Sequence, residues 1–335
     1  MNTNSRQWFE PYDDAQWRCK LCPHQCVLRN GNTGRCRVRG VRDGQPVDLS
    51  YGQISAQQVD PIEKKPLFHF LPGSHVYSIG GYGCNFRCPF CQNWQIAQCR
   101  RKEARIWQPD EIVAAAIQNK CRGIAYTYNE PIIAYPFVMD TARLARKAGL
   151  CNILVTNGFI QQAPAAQLLQ AIDAINLDIK SMEDAFYRNQ CRGRLDPVLA
   201  FARQADEAGV HLEITNLMIT GLNDAPQRVQ ELASWIATNL SPQTVLHITA
   251  YHPAFEMHIP RTPSQTILAA RSIAQKHLTY VYCGNIPDHN TTQDTRCTQC
   301  GGCLVRRQAY RATIDGLLPD GTCKQCRAKT DIAVP

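Results

Sequence analysis

The sequence predicts an α/β protein with parallel strands, and three observations lead to this fold class. Six segments that read as a strand and then a helix follow one another between residues 76 and 278. Each helical segment has the spacing of apolar residues expected of a helix with one buried face. Two of these segments end in glycine, at Gly149 and Gly209, the preferred residue just past a helix. Successive strand–helix units form either a doubly wound sheet or a barrel with some units missing.

The predicted units can be followed in order along the chain. The six pairs of strand and helix are VYSIGGYG with QPDEIVAAAIQNK, GIAYTYNEP with YPFVMDTARLARKAG, CNILVTNG with APAAQLLQA, AINLDIKS with DPVLAFARQADEAG, HLEITNLMI with APQRVQELASWIATNL, and VLHITAYH with SQTILAARSIAQKHL. A last strand, TYVYCGN, closes the series. The first helix also begins with capping signals, which supports its assignment.

The composition indicates a globular chain with a sizeable core. The chain has 335 residues, of which 44% are hydrophobic and 19% charged, so it is too long for one small module. The first residues lack the basic start and apolar run of a signal peptide. No stretch reaches the roughly 18 apolar residues of a membrane span. We therefore expect a cytoplasmic protein.

The cysteine content points to metal binding. Seventeen cysteines in a cytoplasmic chain are not expected to form a disulfide framework, and eleven of them fall in clusters. The net charge of +8 has two readings, a solvated basic surface or a surface for an acidic partner or nucleic acid. Charge alone does not choose between them.

The strongest motif places Cys84, Cys88 and Cys91 within eight residues, in GYGCNFRCPFCQNW; we call them the cysteine triplet. Cysteine thiolates are the usual ligands of iron–sulfur clusters, and a cubane of four irons has four positions to fill. Three protein thiolates leave one iron open for a substrate or cofactor, as catalytic zinc keeps a vacant position. Cys99 follows eight residues later, without the spacing of a fourth ligand.

Polar residues follow several of the predicted strands at the point where each strand ends. In parallel βα folds the active site gathers at the carboxyl ends of the strands, so these side chains are expected to share one rim with the triplet. They are Asn129 and Glu130, Thr156 and Asn157, Asp178 and Lys180, and Tyr251 and His252.

A triplet of the form CxxxCxxC, with an aromatic residue before its third cysteine and at the end of the first strand, resembles that of the radical S-adenosylmethionine (SAM) enzymes. The resemblance implies a partial (β/α)6 barrel and a [4Fe–4S] cluster on Cys84, Cys88 and Cys91. It also implies SAM at the open iron, cleaved reductively to methionine and a 5′-deoxyadenosyl radical that takes hydrogen from a substrate.

The same resemblance implies roles for residues around the cofactor. Phe90 is expected near the adenine and Glu130 at the methionine amino group, while Tyr128 and Asn129 stand where the family more often has two glycines. The remaining expected cofactor residues are Asp178, Lys180 and His252, which match the glycyl-radical-activating branch, and Gly284 and Asn285, which match an adenine-side turn.

A closer resemblance extends over most of the chain, to the radical enzyme of the AmmeMemoRadiSam system, a relative of pyruvate formate-lyase activating enzymes. It rests on CKLCPHQCVLRNGNTGRCRVR, PIEKKPLFHFLPG, CNFRCPFCQNWQIAQ, YTYNEP, CGNIP and two terminal CxxC pairs. The family's GNxPG turn is altered here by Asp288. The resemblance implies Memo-like and AMMECR-like partners; we also expect a reductant such as flavodoxin or ferredoxin, and a protein, peptide or RNA substrate.

The flanking segments predict three parts, residues 1–75, 76–285 and 286–335. Four cysteines before the barrel, the N-terminal quartet, are open to zinc, a second cluster or no metal; they are Cys19, Cys22, Cys26 and Cys36. Four after it, the C-terminal quartet, have the spacing of a structural zinc ribbon, with Cys303 a spare; they are Cys297, Cys300, Cys323 and Cys326. The segment DPIEKKPLFHFLPG is expected to pack on the barrel mouth.

The function predicted from all this is radical cleavage of SAM with an unidentified substrate. Two alternatives stay in view. The first is an activating enzyme that installs a glycyl radical on a partner enzyme, because the DIK element and the layout resemble that branch. The second is a zinc-dependent nucleic-acid-binding protein, which explains the cysteine pairs and the basic charge but does not require a βα core.

Overall fold

The computed structural model describes residues 6–98, 105–287 and 292–334. Cys99 and Asp288, both singled out from the sequence, lie outside these ranges. Within them every helix is too short or too polar to span a lipid bilayer.

An eight-stranded sheet forms the centre of the molecule. Its strands, in chain order, are β6 Ala56–Pro61, β7 His75–Gly80, β8 Gly123–Tyr126, β9 Cys151–Thr156, β10 Ala174–Asp178, β11 His211–Met218, β12 Val245–Ala250 and β13 Val281–Gly284. Strands β7 to β13 are parallel and lie side by side in sequence order, and β6 adds an antiparallel edge beside β7. The predicted partial barrel is confirmed; the edge strand β6 is an addition that the sequence patterns did not reveal.

Helices connect the parallel strands. They are α1 Trp94–Ala97, α2 Pro109–Gln118, α3 Tyr135–Lys147, α4 Gln162–Leu169, α5 Asp184–Phe186, α6 Asp196–Glu207, α7 Pro226–Asn239 and α8 Ser264–Ala274. The predicted capping box at the start of α2 is present between Gln108 and Glu111. Gly149 and Gly209 follow α3 and α6 with φ of 75° and 69°, which suits glycine because it has no Cβ to clash there.

One apolar core joins the sheet to the helices. Buried residues on the inner faces of α2, α3, α6 and α7 pack against the strands, which are themselves almost wholly buried. A sheet buried on both faces needs near-continuous apolar strands, and this explains why the strands read as apolar runs. The loops after the strands are therefore held on a rigid support.

Residues 62–71, which we call the basal strap, close the amino end of the sheet. Ile62, Leu67 and Phe70 pack into a cluster with Val76, Ala125, Ile153 and Ala174 of strands β7 to β10. Asn176 Nδ2 donates to Pro66 O at 2.8 Å. The prediction that this segment packs on the barrel mouth is wrong, because its apolar side chains cover the end opposite to the loops that follow the strands.

The C-terminal module docks on this closed end. It consists of β14 Thr295–Arg296, β15 Cys303–Gln308 and β16 Arg311–Thr313. The first pair of the C-terminal quartet lies between β14 and β15, and the second pair follows β16. Arg307 is fully buried, with its guanidinium over the ring of Phe68 in the strap and hydrogen-bonded to Phe68 O. Backbone bonds between Leu71, His69 and Ala333 complete the contact.

The N-terminal module lies at the other end of the sheet. Its strands are β1 Phe9–Asp13, β2 Gln16–Cys19, β3 Val27–Arg29, β4 Arg39–Arg42 and β5 Gln45–Asp48. Gln161 N, in the loop after β9, donates to Leu21 O at 3.0 Å, and His24 Nε2 bonds Asn85 O at 2.8 Å in the loop after β7. The two cysteine-rich modules therefore occupy opposite ends of the barrel, while the exact boundaries proposed for the three parts stay a prediction.

Candidate active site

The cysteine triplet lies on the loop that leaves β7, and Asn129 holds the start of this loop. Asn129 Oδ1 accepts from Gly81 N at 2.8 Å and its Nδ2 donates to Gly83 O at 3.0 Å. Both ends of the amide are thus used by the loop. The structure makes Asn129 a positioning residue for the triplet, and its predicted contact with a cofactor stays a prediction.

Tyr128 occupies the position of a family glycine and also adopts a backbone conformation that glycine favours. Its φ of 70° lies in the left-handed region that glycine favours. The side chain runs toward the closed end of the barrel, where its hydroxyl donates to Asp60 Oδ2 at 2.6 Å and Lys65 Nζ lies 4.7 Å from its ring centroid. This anchorage holds the turn that carries Asn129 and Glu130.

Cys84 is surrounded by donors that stabilise a thiolate. Phe86 N donates to its Sγ at 3.3 Å and Asn157 Nδ2 at 3.8 Å. Asn85 Oδ1 accepts from the same Asn157 amide at 2.9 Å, which fixes its direction. Burial nevertheless raises the pKa of Cys84 well above its usual value, and the nearby Glu130 carboxylate raises it further. A buried thiol of this kind ionises when a cation compensates its charge, so the site suits a metal cluster.

Cys88 and Cys91 lie beside the polar residues at the end of β10. Lys180 Nζ is 3.2 Å from Asp178 Oδ2, and Lys180 is largely buried. Burial alone lowers the pKa of Lys180, but Asp178 and the thiol of Cys88 outweigh it and raise this pKa above its ordinary value. A fixed positive charge therefore stands next to the thiols.

Cys191 is a residue near the triplet that the sequence patterns did not single out. Its thiol hydrogen-bonds that of Cys88, and this contact, followed by burial, raises the pKa of Cys88 well above the usual value. Cys191 is fully buried at the end of a short π-helical turn, Tyr187–Cys191. No local spacing links it to the triplet, so only the fold could reveal the contact.

Glu130 is buried between β8 and β9 at the carboxyl end of the sheet. Its carboxylate accepts from Thr156 Oγ1 at 2.6 Å, Asn157 N at 2.8 Å and Ile132 N at 3.1 Å. Burial raises its pKa to about 7 in spite of these bonds. A cation placed beside this carboxylate would restore its ordinary ionisation, so Glu130 fits an ammonium ligand.

The other predicted cofactor residues lie on the same end of the sheet. Phe90 is buried, with its ring centroid 6.1 Å from that of Phe186. His252 is exposed on the loop after β12, and this loop bonds the triplet loop through Glu256 N and Pro89 O at 2.9 Å. Gly284 ends β13, and Asn285 Nδ2 donates to Ala250 O at 3.2 Å. Their contacts with a cofactor stay predictions.

The thiols of the triplet are spaced more widely than one metal ion requires. Among the described residues, the C-terminal quartet alone brings three or more possible ligand atoms all within 4.8 Å of one another. The triplet does not meet this limit. Zinc–sulfur bonds of about 2.3 Å put tetrahedral thiolates roughly 3.8 Å apart, whereas a cubane binds each thiolate at a different iron. The triplet therefore fits a cluster and not a single ion.

The C-terminal quartet has the opposite geometry. Cys297 and Cys326 Sγ are 3.6 Å apart, and Cys300 and Cys323 Sγ are 3.7 Å apart. Backbone amides, that of Cys300 first, lower the pKa of Cys297 to about 7. Four thiols at the separation expected around one tetrahedral ion make this a candidate single-metal site, and Cys303 lies outside the set as predicted.

An open basic cleft lies beside the triplet loop. It is about 430 Å³ in volume and is bordered by His24, Phe159 and four arginines, which are Arg35, Arg188, Arg192 and Arg194. Part of the positive charge noted in the sequence is thus concentrated at the end of the sheet that carries the triplet. A cleft of this kind attracts anions.

Comparison with known proteins shows which proteins the barrel resembles. Residues 78–236 match the model of the radical SAM superfamily. The chain is 39% identical to an uncharacterized protein of Methanocaldococcus jannaschii over 332 residues, covering 98% of each. It is 24% identical to the pyruvate formate-lyase 1-activating enzyme of Escherichia coli over 159 residues, which are 46% of this chain and 65% of that enzyme.

A solved structure shares the fold. The radical SAM methyltransferase from Sphaerobacter thermophilus aligns with a TM-score of 0.50 at 16% identity, over 68% of this chain and 70% of that one. At this identity the likeness concerns the fold alone.

Proposed function

Because the chain belongs to the radical SAM superfamily, we propose that it cleaves SAM reductively at a [4Fe–4S] cluster held by Cys84, Cys88 and Cys91. When bound, the cluster and SAM supply the electron and the 5′-deoxyadenosyl radical that takes hydrogen from a substrate. The family implies both cofactors, and the chemistry of the donor set supports them.

The observation that carries the proposal is the pairing of three widely spaced thiols with a buried carboxylate. Glu130 lies close enough to Cys84 to raise the pKa of that thiol, and burial raises the pKa of Glu130 itself to about 7. Binding the ammonium of SAM would compensate that charge through a charge-assisted hydrogen bond worth about 1.5–3 kcal/mol. The carboxylate would thereby orient the cofactor on the open iron.

The neighbouring residues have supporting tasks. Asn129 and Asn157 hold the triplet loop and direct amide donors to it, which keeps the Cys84 thiolate in place. The ammonium of Lys180 lies beside Cys88 and favours its ionised form. We propose that Phe90, Asp178, His252, Gly284 and Asn285 border the bound cofactor, as the family resemblance implies.

We further propose that the enzyme is the radical component of an AmmeMemoRadiSam system. The similarity to the M. jannaschii protein covers 98% of each chain, so it spans the barrel and both flanking modules of this chain, as the proposal requires. In this proposal the partners are Memo-like and AMMECR-like proteins, a flavodoxin or ferredoxin supplies electrons, and the substrate is a protein, peptide or RNA. A cytoplasmic location fits the free state of every described cysteine.

Activation of a glycyl radical enzyme is the second candidate. The Asp178–Lys180 ion pair and the similarity to the E. coli activating enzyme favour it. The first extra cysteines precede the barrel here, whereas that branch commonly carries extra cysteines after the triplet. The alternative of a nucleic-acid-binding protein is set aside, because superfamily membership makes the core that of an enzyme.

For the C-terminal quartet we propose structural zinc. Its two thiol pairs have the separation of a tetrahedral zinc site, and four protein ligands leave no position for a substrate. The site lies on the closed end of the barrel, away from the triplet.

The decisive experiment measures 5′-deoxyadenosine formed from SAM by anaerobically prepared, dithionite-reduced protein. Cys88→Ala should abolish formation, because a ligand of the catalytic cluster is lost. Cys121→Ala removes a buried thiol on the loop before β8 and should retain activity. Full cleavage activity in Cys88→Ala would overturn the assignment.

The substrate is sought with deuterated candidate partners under the same conditions. If deuterium is recovered in 5′-deoxyadenosine, the labelled partner is the molecule from which hydrogen is taken. A glycine-centred radical on a partner, seen by electron paramagnetic resonance (EPR), would instead support the activating-enzyme alternative.

A further inference from the structure

We propose that the N-terminal quartet holds a second [4Fe–4S] cluster. The sequence left zinc, a cluster and free thiols as alternatives for these four cysteines. In the fold all four thiols border one enclosed cavity, together with His24 and Arg39. Disulfides between them are absent from the structure, since each is a free cysteine. The four cysteines therefore converge on one space, and its volume of about 10 Å³ means that the thiols would move apart around a bound cluster.

Thiol spacing separates a cluster from zinc at this site. No three possible ligand atoms among the N-terminal quartet and His24, all of them described residues, lie within 4.8 Å of one another. The C-terminal quartet, with separations of 3.6 and 3.7 Å, shows what a single-ion site looks like in the same chain. The N-terminal quartet shares the wide spacing of the cysteine triplet, which superfamily membership assigns to a cluster. Four thiolates at the corners of a cubane require this wider arrangement.

Arg39 gives a second, independent indication. Its side chain is 1% exposed, its Nε donates to Cys19 Sγ at 3.4 Å and its Nη2 donates to Gln7 O at 2.6 Å. Its Nη1 is buried without a hydrogen-bond partner among the described residues. A buried donor left unpaired costs about 1–3 kcal/mol. The candidate acceptors are Asp48, which faces Arg39 across β4 and β5 and has an unpaired Oδ2, and a group bound in the cavity that Arg39 borders. An inorganic sulfide of a cluster supplies such an acceptor, and the guanidinium balances the negative charge of the four thiolates.

The backbone around the cavity also holds the cysteines of the N-terminal quartet close to one another. Cys19 N donates to Cys26 O at 2.9 Å, and this bond joins the ends of the loop that carries Cys22. A Cβ at Gly34 would come within 3.2 Å of Cys26 Sγ, so a larger residue at this position would crowd the thiol. Short backbone bonds thus pre-form the ligand positions.

The location of the quartet indicates its task. Four protein thiolates fill all four irons, so this cluster has no open position for SAM. The carbonyl of Cys36 lies 2.3 Å from where a Cβ of Gly83 would be, and Gly83 precedes the triplet ligand Cys84. A one-electron donor protein would reduce the N-terminal cluster, which then passes that electron on, with no bond formed or broken. This electron-transfer role rests on the proposed function, whereas the cluster itself does not.

The test uses the full chain, reconstituted anaerobically, with Cys84, Cys88 and Cys91 all changed to Ser. This variant should retain about four irons and four sulfides, one cubane's content. After dithionite reduction its EPR signal should be unaffected by SAM, whereas the wild-type spectrum should contain a second signal that SAM changes. A triple variant without iron, or one with two zinc ions per chain, would overturn the proposal. Iron in this variant would support the second cluster whether or not the proposed function is correct. The proposed function is tested separately and fails if the wild-type protein forms no 5′-deoxyadenosine.

Two further variants sharpen the result within the triple-serine background. Cys22→Ser with Cys36→Ser should remove the remaining iron, while Cys121→Ser, a buried thiol outside all clusters, should not. Arg39→Met should lower the reduction potential of the retained signal, because a positive charge and an N–H donor are lost, and Arg39→Lys should lower it less. An unchanged potential in Arg39→Met would show that the guanidinium does not face the cluster.

Discussion

A glutamate is buried at each end of the barrel, and the pKa values of the two carboxyl groups are shifted in opposite directions. At the closed end Glu213 accepts from Phe68 N, His69 N, His211 Nε2 and His247 Nε2, all at 2.7–2.9 Å. Burial alone would raise its pKa, but the bonds from His211 and His247 outweigh burial and hold this pKa well below the usual value. At the open end Glu130 accepts three hydrogen bonds from uncharged donors, and burial raises its pKa to about 7.

The cysteine clusters at the two ends differ in the spacing of their thiols and in the charge around them. At the closed end the thiols are drawn together to the spacing of one ion, within a small apolar cluster of their own. At the open end the thiols of the triplet and of the N-terminal quartet are spread apart, next to unpaired or poorly compensated charge. Glu213 is fully compensated by groups of the protein, whereas Glu130 would be compensated only when a cation binds. The contrast concerns these two carboxylates, because Glu63 Oε2 and Arg307 Nε at the closed end are also buried without a hydrogen-bond partner among the described residues.

In such a fold, a binding site is expected where buried polar groups are incompletely satisfied. Fully satisfied buried polar groups stabilise a structure and leave nothing to bind, and incompletely satisfied ones cost stability unless a ligand completes them. Substitutions at the closed end should therefore lower stability, and a substitution at the open end should weaken ligand binding.

The largest effect is expected at the closed end, from Cys323→Ser combined with Cys326→Ser. One equivalent of zinc should be lost and the C-terminal module should unfold, since structural zinc contributes on the order of 10 kcal/mol in isolated modules. Metal analysis and hydrogen exchange across residues 297–332 measure both outcomes. Cys303→Ser, outside the set of four, should retain the zinc. Loss of iron with zinc unchanged would mean that this module holds a cluster and that the contrast between the ends is false.

A smaller loss of stability is expected from Glu213→Ala. Two buried backbone N–H groups and two histidines lose their acceptor, and at about 1–3 kcal/mol for each backbone donor the free energy of unfolding should fall by roughly 2–6 kcal/mol. Urea unfolding of anaerobic protein, followed by tryptophan fluorescence, measures the change. Glu231→Ala removes an exposed glutamate that forms an ion pair with Arg228, and it should change this free energy by less than about 1 kcal/mol. Equal effects of the two substitutions would refute the structural role of Glu213.

The smallest effect concerns ligand binding at Glu130. The ionised carboxylate attracts the SAM ammonium above about pH 7, and as the pH falls through 7 the group takes up a proton and the attraction is lost. The affinity of the reconstituted protein for SAM should therefore be about tenfold weaker at pH 6 than at pH 8. Glu130→Gln should bind about tenfold more weakly at pH 8 with unchanged iron content, and should show little dependence on pH. Equilibrium binding to the oxidised cluster tests this without turnover. A wild-type affinity independent of pH would place Glu130 outside the cofactor site.

Local patterns in the sequence were sufficient for the barrel and for the triplet. The alternation of apolar strands and amphipathic helices depends on spacings of a few residues, so six units and a last strand could be predicted in order. Cys84, Cys88 and Cys91 are neighbours along the chain, and their spacing alone indicated a cluster with an open iron. The spacing of the C-terminal pairs predicted a closed metal site for the same reason.

Tertiary structure decided what depends on residues far apart in the chain. The basal strap was expected at the mouth, but its apolar side chains pack against buried residues of β7 to β10 at the closed end. Cys191 reaches Cys88 only because the turn after β10 packs on the triplet loop. Whether four cysteines surround one ion or a cluster is set by the separation of their thiols. That separation follows from how neighbouring strands and loops pack, so a CxxC spacing read from the sequence cannot specify it.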